Sequence, residues 1–225
     1  MKYSHTKINL YYKCQRQFNY TFIQKLKPSD KIQKKWSKFG KVVHLTNENI
    51  KKYCTIEEGV NYYWLEQGLI NQLNKEDAIR SVEYCQSLDF DIKEYELKFE
   101  LSYNGYDFIC EIDAVLKDGT LIEWKTAIYS EEKKLEYFEQ LKLYAWMYRL
   151  KFGTLPAKVK LVFSRSKKVF TKTITEKLMI EFENKLFKTI NQIEKSKNIS
   201  DYKINKTACF FCKFKQKCEF DNKRK

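Results

Sequence analysis

Along the first 26 residues apolar side chains recur at helical spacing, with Ile8, Tyr11, Tyr12, Phe18, Phe22 and Leu26 supplying most of one stripe. This predicts a helix over residues 5–26, capped by Ser4 or Thr6. The lysine-rich stretch from Lys25 to Lys38 contains Pro28 and reads as a linker leading into a second helix through His44 to Tyr53. Residues 56–88 are again helical, with Tyr62, Tyr63, Leu65, Leu69, Ile70 and Leu73 as their apolar positions. The period then drops to two over residues 94–126, which predicts three strands of a meander with turns at Asn104-Gly105 and Asp118-Gly119. Downstream, Ser130 is placed to cap a helix that has Glu131 and Glu132 in its first turn and ends near Gly153. A hairpin over 157–174 turns at Arg165-Ser166-Lys167 and suits a sheet edge; a last helix spans Glu176 to Lys195, followed by a polar linker.

The meander's turns set its register. A two-residue turn at Asn104-Gly105 pairs Tyr103 with Tyr106 and sets Glu96 opposite Asp113. A three-residue loop Lys117-Asp118-Gly119, with Gly119 in the left-handed region, pairs Asp113 with Glu123; a two-residue loop would put them on opposite faces. With the longer loop one face carries Glu96, Lys98, Glu100, Glu111, Asp113, Glu123 and Lys125, joined by Ile109, Val115 and Leu121. The other face carries Leu97, Phe99, Leu101, Phe108, Cys110, Ile112, Ala114, Ile122 and Trp124. Carboxylates on adjacent strands repel each other unless they share a cation, and an ammonium on the same face is placed to hold a phosphate oxygen or an attacking water. The plainer alternative is a solvated sheet face on which Lys98 and Lys125 offset neighbouring acids.

The chain has 225 residues, enough for one well-buried core. Its net charge of +14 favours a polyanionic partner, whether DNA, RNA or anionic lipid, and 16 tyrosines and 16 phenylalanines add stacking surface for unpaired bases. Apolar stretches are short and interrupted by charge, and MKYSHTKINL lacks the apolar core of a secretory signal, so the expectation is a cytoplasmic protein without a membrane span, in a prokaryotic cell or its virus. No Gly-x-x-x-x-Gly-Lys loop occurs, so any helicase would be a separate chain. Near the C-terminus Cys209, Cys212 and Cys218 crowd three thiols into ten residues, the first two as Cys-x-x-Cys, a pattern that reads as metal ligands in a reducing compartment. Such thiolates accept zinc or an iron-sulfur cluster, and a closed site needs a fourth. Cys54, Cys85 and Cys110 are taken as structural.

Asp113, nine residues, then Glu123-Trp124-Lys125 follows the Asp…Glu-x-Lys pattern; Gly40-Lys41-Val42-Val43-His44 precedes it and Gln140-Leu141-Lys142-Leu143-Tyr144 follows. Cys14, Arg16 and Phe18 match a Cys-Pro-Arg-x-Phe/Tyr block, with Gln15 in the place of proline. In this order the blocks resemble the PD-(D/E)XK nuclease superfamily, in particular its RecB-like branch with an iron-sulfur cluster: the CRISPR-adaptation iron-sulfur exonucleases and the nuclease domains of AddB-type helicase-nucleases. The resemblance implies an α/β restriction-endonuclease-like core, a central mixed sheet flanked by helices, with a helical N-terminal segment and a C-terminal cysteine cluster. It implies Mg²⁺ or Mn²⁺ on His44, Asp113 and Glu123, with Lys125, Gln140 and Tyr144 completing the catalytic set; the register of the meander adds Glu96 as a further acid. It supplies Cys14 as the fourth cluster ligand beside Cys209, Cys212 and Cys218, with [4Fe-4S] favoured over Zn²⁺. Glu111 stands where the family often has glycine, adding a carboxylate near the metal.

The resulting expectation is one nuclease domain over 1–225: an N-terminal helix over 1–27 carrying one cluster cysteine, a catalytic core over 94–174 and a cysteine-rich tail over 205–225. The expected reaction is phosphodiester hydrolysis in DNA, mainly single-stranded, from a free end and in the 5′ to 3′ direction, with a separate helicase or integrase-type protein as partner. Two alternatives stay open: a catalytically weak DNA-binding accessory module of the same fold, and a zinc-stabilised RNA-processing protein.

Overall fold

The computed structural model describes residues 1–27, 33–69 and 74–218. The predicted Pro28 and the apolar positions Ile70 and Leu73 lie outside them. The chain divides into two compact units, one comprising Met1–Lys31, Ser102–Phe108 and Ile180–Lys225, the other Ile32–Leu101 and Ile109–Met179.

The larger unit is built on a five-stranded mixed sheet in the order β1-β2-β3-β4-β5, with β1 at Ile92–Tyr103, β2 at Tyr106–Leu116, β3 at Leu121–Lys125, β4 at Lys158–Phe163 and β5 at Lys168–Thr173. Gly119, at φ +81°, allows the three-residue connection of β2 to β3: Ala114 pairs with Ile122 and Val115 with Leu121, the register predicted from the turn. The β3–β4 pair is parallel and needs a crossover, which α6 (Glu131–Phe152) provides. Ser130 caps α6 by accepting the Lys133 amide, and Gly153 ends it at φ +73°. On one face of the sheet Ala114, Leu116, Ile122, Trp124 and Val162 pack with Cys85 of α5 (Lys75–Ser87). A second core joins α3 (Gln33–Glu48), α4 (Ile56–Glu66) and α5 through Phe39, Val42, Val43, Val60, Trp64 and Val82.

In the smaller unit, α1 (His5–Lys13) and α2 (Gln15–Phe18) precede a π-helical turn over Asn19–Ile23. The predicted single helix over 5–26 is thus broken at Cys14, whose backbone is extended. Residues nearly two hundred positions away take up the groups freed there: Asn205 Nδ2 donates to Lys13 O, the Arg16 amide to Lys203 O, and the Lys203 amide to the Gln15 side chain. Gln15, where the resembled block has proline, uses its amide oxygen to hold the tail. Tyr20, Phe214 and Cys218 form a small core alongside, and the unit also contains most of α7 (Glu176–Lys195).

Other expectations need revision. The helix carrying His44 begins inside the predicted linker, and Tyr62 and Leu65, two of the apolar positions of the 56–88 region, are exposed at 57% and 69% because the inward side of α4 is formed by Val60, Tyr63 and Trp64. The single apolar face of the meander is divided. Phe99 packs on Phe152 of α6 at 5.6 Å and Cys110 lies within electrostatic reach of Glu123, whereas Ala114, Ile122 and Trp124 face the α5 side. The change falls around Asp113, where the Trp124 amide donates to Asp113 Oδ2 at 2.7 Å in place of a backbone acceptor. Among the described residues no helix is long and apolar enough to cross a membrane.

Candidate active site

Glu123 and Lys125 alternate with Trp124 on β3, so their side chains leave the α5 core and meet α6. There Gln140 Nε2 donates to Glu123 Oε1 and to Tyr144 Oη, both at 2.7 Å; one helical turn separates Gln140 from Tyr144. Lys125 Nζ also donates to Glu123 Oε1 and lies 4.6 Å from the centre of the Tyr137 ring. Oε1 therefore has two donors, while Glu123 Oε2 is buried without a hydrogen-bond partner.

His44 comes from α3. Gly40, one turn earlier, lets the helix approach the segment after β3: a Cβ there would meet Thr126 Oγ1 at 3.3 Å. His44 Nδ1 is 3.5 Å from Asp113 Oδ1 and 3.9 Å from Glu96 Oε1. Glu96 sits inside β1 at φ +52°, a left-handed residue within a strand. Its other oxygen is 3.1 Å from Lys98 Nζ, which also reaches Glu111 at 3.0 Å. Among the described residues His44, Glu96 and Asp113 are the one set of three or more histidine, cysteine or acidic groups whose ligand atoms converge within 4.8 Å.

The electrostatics follow from crowding these groups in a shielded place. Burial pulls the His44 imidazole down, but Asp113 and Glu96 outweigh it and push it up to about 10. Contact with His44 holds Glu96 down to about 2 against its own burial, with help from Glu111 and Lys98. Glu123 is raised to about 7, first by burial and then by Asp113, with Lys125 and His44 pulling the other way. Lys125 is raised because Glu123 and Asp113 overcome its desolvation. A divalent cation suits this donor set. Two carboxylates and an imidazole converge, and a third carboxylate beside Asp113 carries an unpaired buried oxygen.

The structure thus gathers all seven residues expected at the site, but with Glu96 inside the converging group and Glu123 at its flank. Neither the left-handed bend at Glu96 nor the Tyr137 ring under Lys125 has a local sequence signal. Cys14, Cys209, Cys212 and Cys218 line one small cavity in the smaller unit, and the Cys212 thiol, raised first by burial, also feels the other three. Cys85 and Cys110 are buried and raised by desolvation to about 12 and beyond the usual thiol range respectively, as inert core thiols are; Cys54 is exposed.

Among solved structures, one described as "Putative exonuclease" from Eubacterium rectale aligns with a TM-score of 0.60 at 8% identity, covering 86% of this chain and 80% of its own. A second, SSO0001, aligns at 16% identity over 83% of this chain and 85% of its own, with a TM-score of 0.39. No curated protein sequence matches the chain. The first likeness concerns the fold alone, but the family model described as PD-(D/E)XK nuclease superfamily matches residues 2–219, and the chain belongs to that superfamily.

Proposed function

We propose that this nuclease is a metal-dependent DNA exonuclease of the RecB-like branch that hydrolyses phosphodiester bonds in single-stranded DNA, 5′ to 3′, and carries a structural [4Fe-4S] cluster. The observation that carries the catalytic part is the convergence of His44, Glu96 and Asp113 beside Glu123 and Lys125. His44, Glu96 and Asp113, with the unpaired Oε2 of Glu123, would hold the ion. Mg²⁺ or Mn²⁺, when bound, lowers the pKa of water and offsets charge building on the phosphoryl oxygens. Lys125 orients the attacking water and a phosphate oxygen, its charge kept by Glu123 and Asp113. Gln140 fixes Glu123 Oε1, which leaves Oε2 for the cation, and Tyr144 fixes Gln140. The last two are positioning residues.

The cluster rests on the four cysteines around one cavity and on the clasp between residues 13–16 and 203–205. Four thiolates hold zinc or an iron-sulfur cluster, and the resemblance of Cys14, Arg16 and Phe18 to the iron-sulfur nucleases favours the cluster. The net charge of +14 suits a phosphate backbone. Time courses with single strands labelled at the 5′ or the 3′ end, each with its other end free or blocked, test direction. Release of short products from free 5′ ends supports the reading, and internal cutting of circular single strands opposes it.

A further inference from the structure

A cleft of about 420 Å³ adjoins the catalytic group, and His44 and Lys125 line both. Its walls also include Trp36 from α3, Ile128 from the segment entering α6, Lys133 from the first turn of α6, and Arg165 from the β4–β5 turn. Three basic side chains, Lys125, Lys133 and Arg165, line it, and no carboxylate is among its described lining residues. Trp36 and Ile128 are exposed at 51% and 52%, large apolar groups left to solvent at the edge of a cationic cleft. The other three tryptophans are buried.

Arg165 is fixed rather than free. Its guanidinium donates to Asp77 Oδ2 at 3.1 Å and lies 5.3 Å from the centre of the Trp36 ring and 5.5 Å from that of Phe39. Asp77 is held in turn by Arg80 at 2.5 Å. The result is an aromatic plane beside an oriented guanidinium, opening on the ammonium of Lys125. This is the chemistry that takes one nucleotide of an unpaired strand, its base on the ring and its phosphate on the cations.

We infer that this cleft binds the nucleotide flanking the scissile phosphate of single-stranded DNA, with Trp36 stacking on its base and Arg165 and Lys133 holding its backbone. The inference rests on the reading of the catalytic group as a phosphodiesterase centre and adds the subsite that selects an unpaired base. Stacking is independent of base identity, so the subsite reads strandedness and not sequence.

The test is equilibrium binding of single-stranded oligonucleotides to the full chain in chelator, with one abasic position moved along the strand. Trp36→Ala is expected to weaken binding about 10- to 100-fold, with Trp36→Phe keeping most of it. The parent should lose comparable affinity when the abasic position reaches the cleft, and Trp36→Ala should not lose it a second time. Equal binding by parent and Trp36→Ala, or equal weakening on a blunt duplex, overturns the subsite. Hydrolysis by the parent in Mg²⁺ is read separately: a parent that cuts while Trp36→Ala binds normally overturns the subsite alone. A parent that neither binds nor cuts overturns both readings.

Discussion

At the scale of single residues, the site depends on which oxygen of Glu123 is free. Lys125 and Gln140 both occupy Oε1, and Oε2 is left buried and unpaired. If Lys125 acts on water and phosphate, Lys125→Ala lowers kcat about 10²- to 10³-fold while Mn²⁺ still binds, which single-turnover kinetics and Mn²⁺ titration separate. The same residues set a pH dependence. With His44 raised to about 10 and Glu123 to about 7 in the metal-free protein, both hold protons that a cation must displace. Protonated forms bind the cation less well, so affinity rises with pH. Log affinity should climb with a slope near two below about pH 7 and near one above it, and calorimetry in buffers of different ionisation enthalpy counts the protons released. A flat profile between pH 6 and 8 contradicts this assignment.

At the scale of elements, α3 and the β2–β3 hairpin bring the ligands together. Gly40 permits the close approach of α3 to Thr126, and His44 lies one turn further along the same helix. Gly40→Val pushes the helix away and should reduce activity at least about 10-fold while costing about 1–3 kcal/mol of stability, measured by paired kinetics and urea denaturation. Where local chemistry decides the geometry, the sequence is readable: Gly119 sets the hairpin register, and Ser130 and Gly153 bound α6 to the residue. Where distant residues decide it, the pattern is silent. The break at Cys14 depends on Asn205 and Lys203, and the placement of Trp36 beside Arg165 joins two stretches read separately as linker and hairpin turn. Glu96 was reachable from turn counting, but its left-handed backbone and its place inside the converging group were not.

At the scale of the whole molecule, two proposed metal sites sit on one chain. The four cysteines draw on both ends of the sequence, so a metal group bound there closes a very long loop and favours the folded state. Cys14→Ser should abolish iron incorporation on anaerobic purification and lower Tm, and full iron content in that variant removes Cys14 from the ligand set. The central claim is that His44, Glu96, Asp113 and Glu123 gather one cation for phosphodiester hydrolysis, with Lys125 beside them. The most direct measurement is cleavage of end-labelled single-stranded DNA by the parent and by Asp113→Ala in Mg²⁺, Mn²⁺ or chelator. The account predicts short products from the parent with either ion, none in chelator and none from folded Asp113→Ala; cutting that survives chelator or the substitution would contradict it.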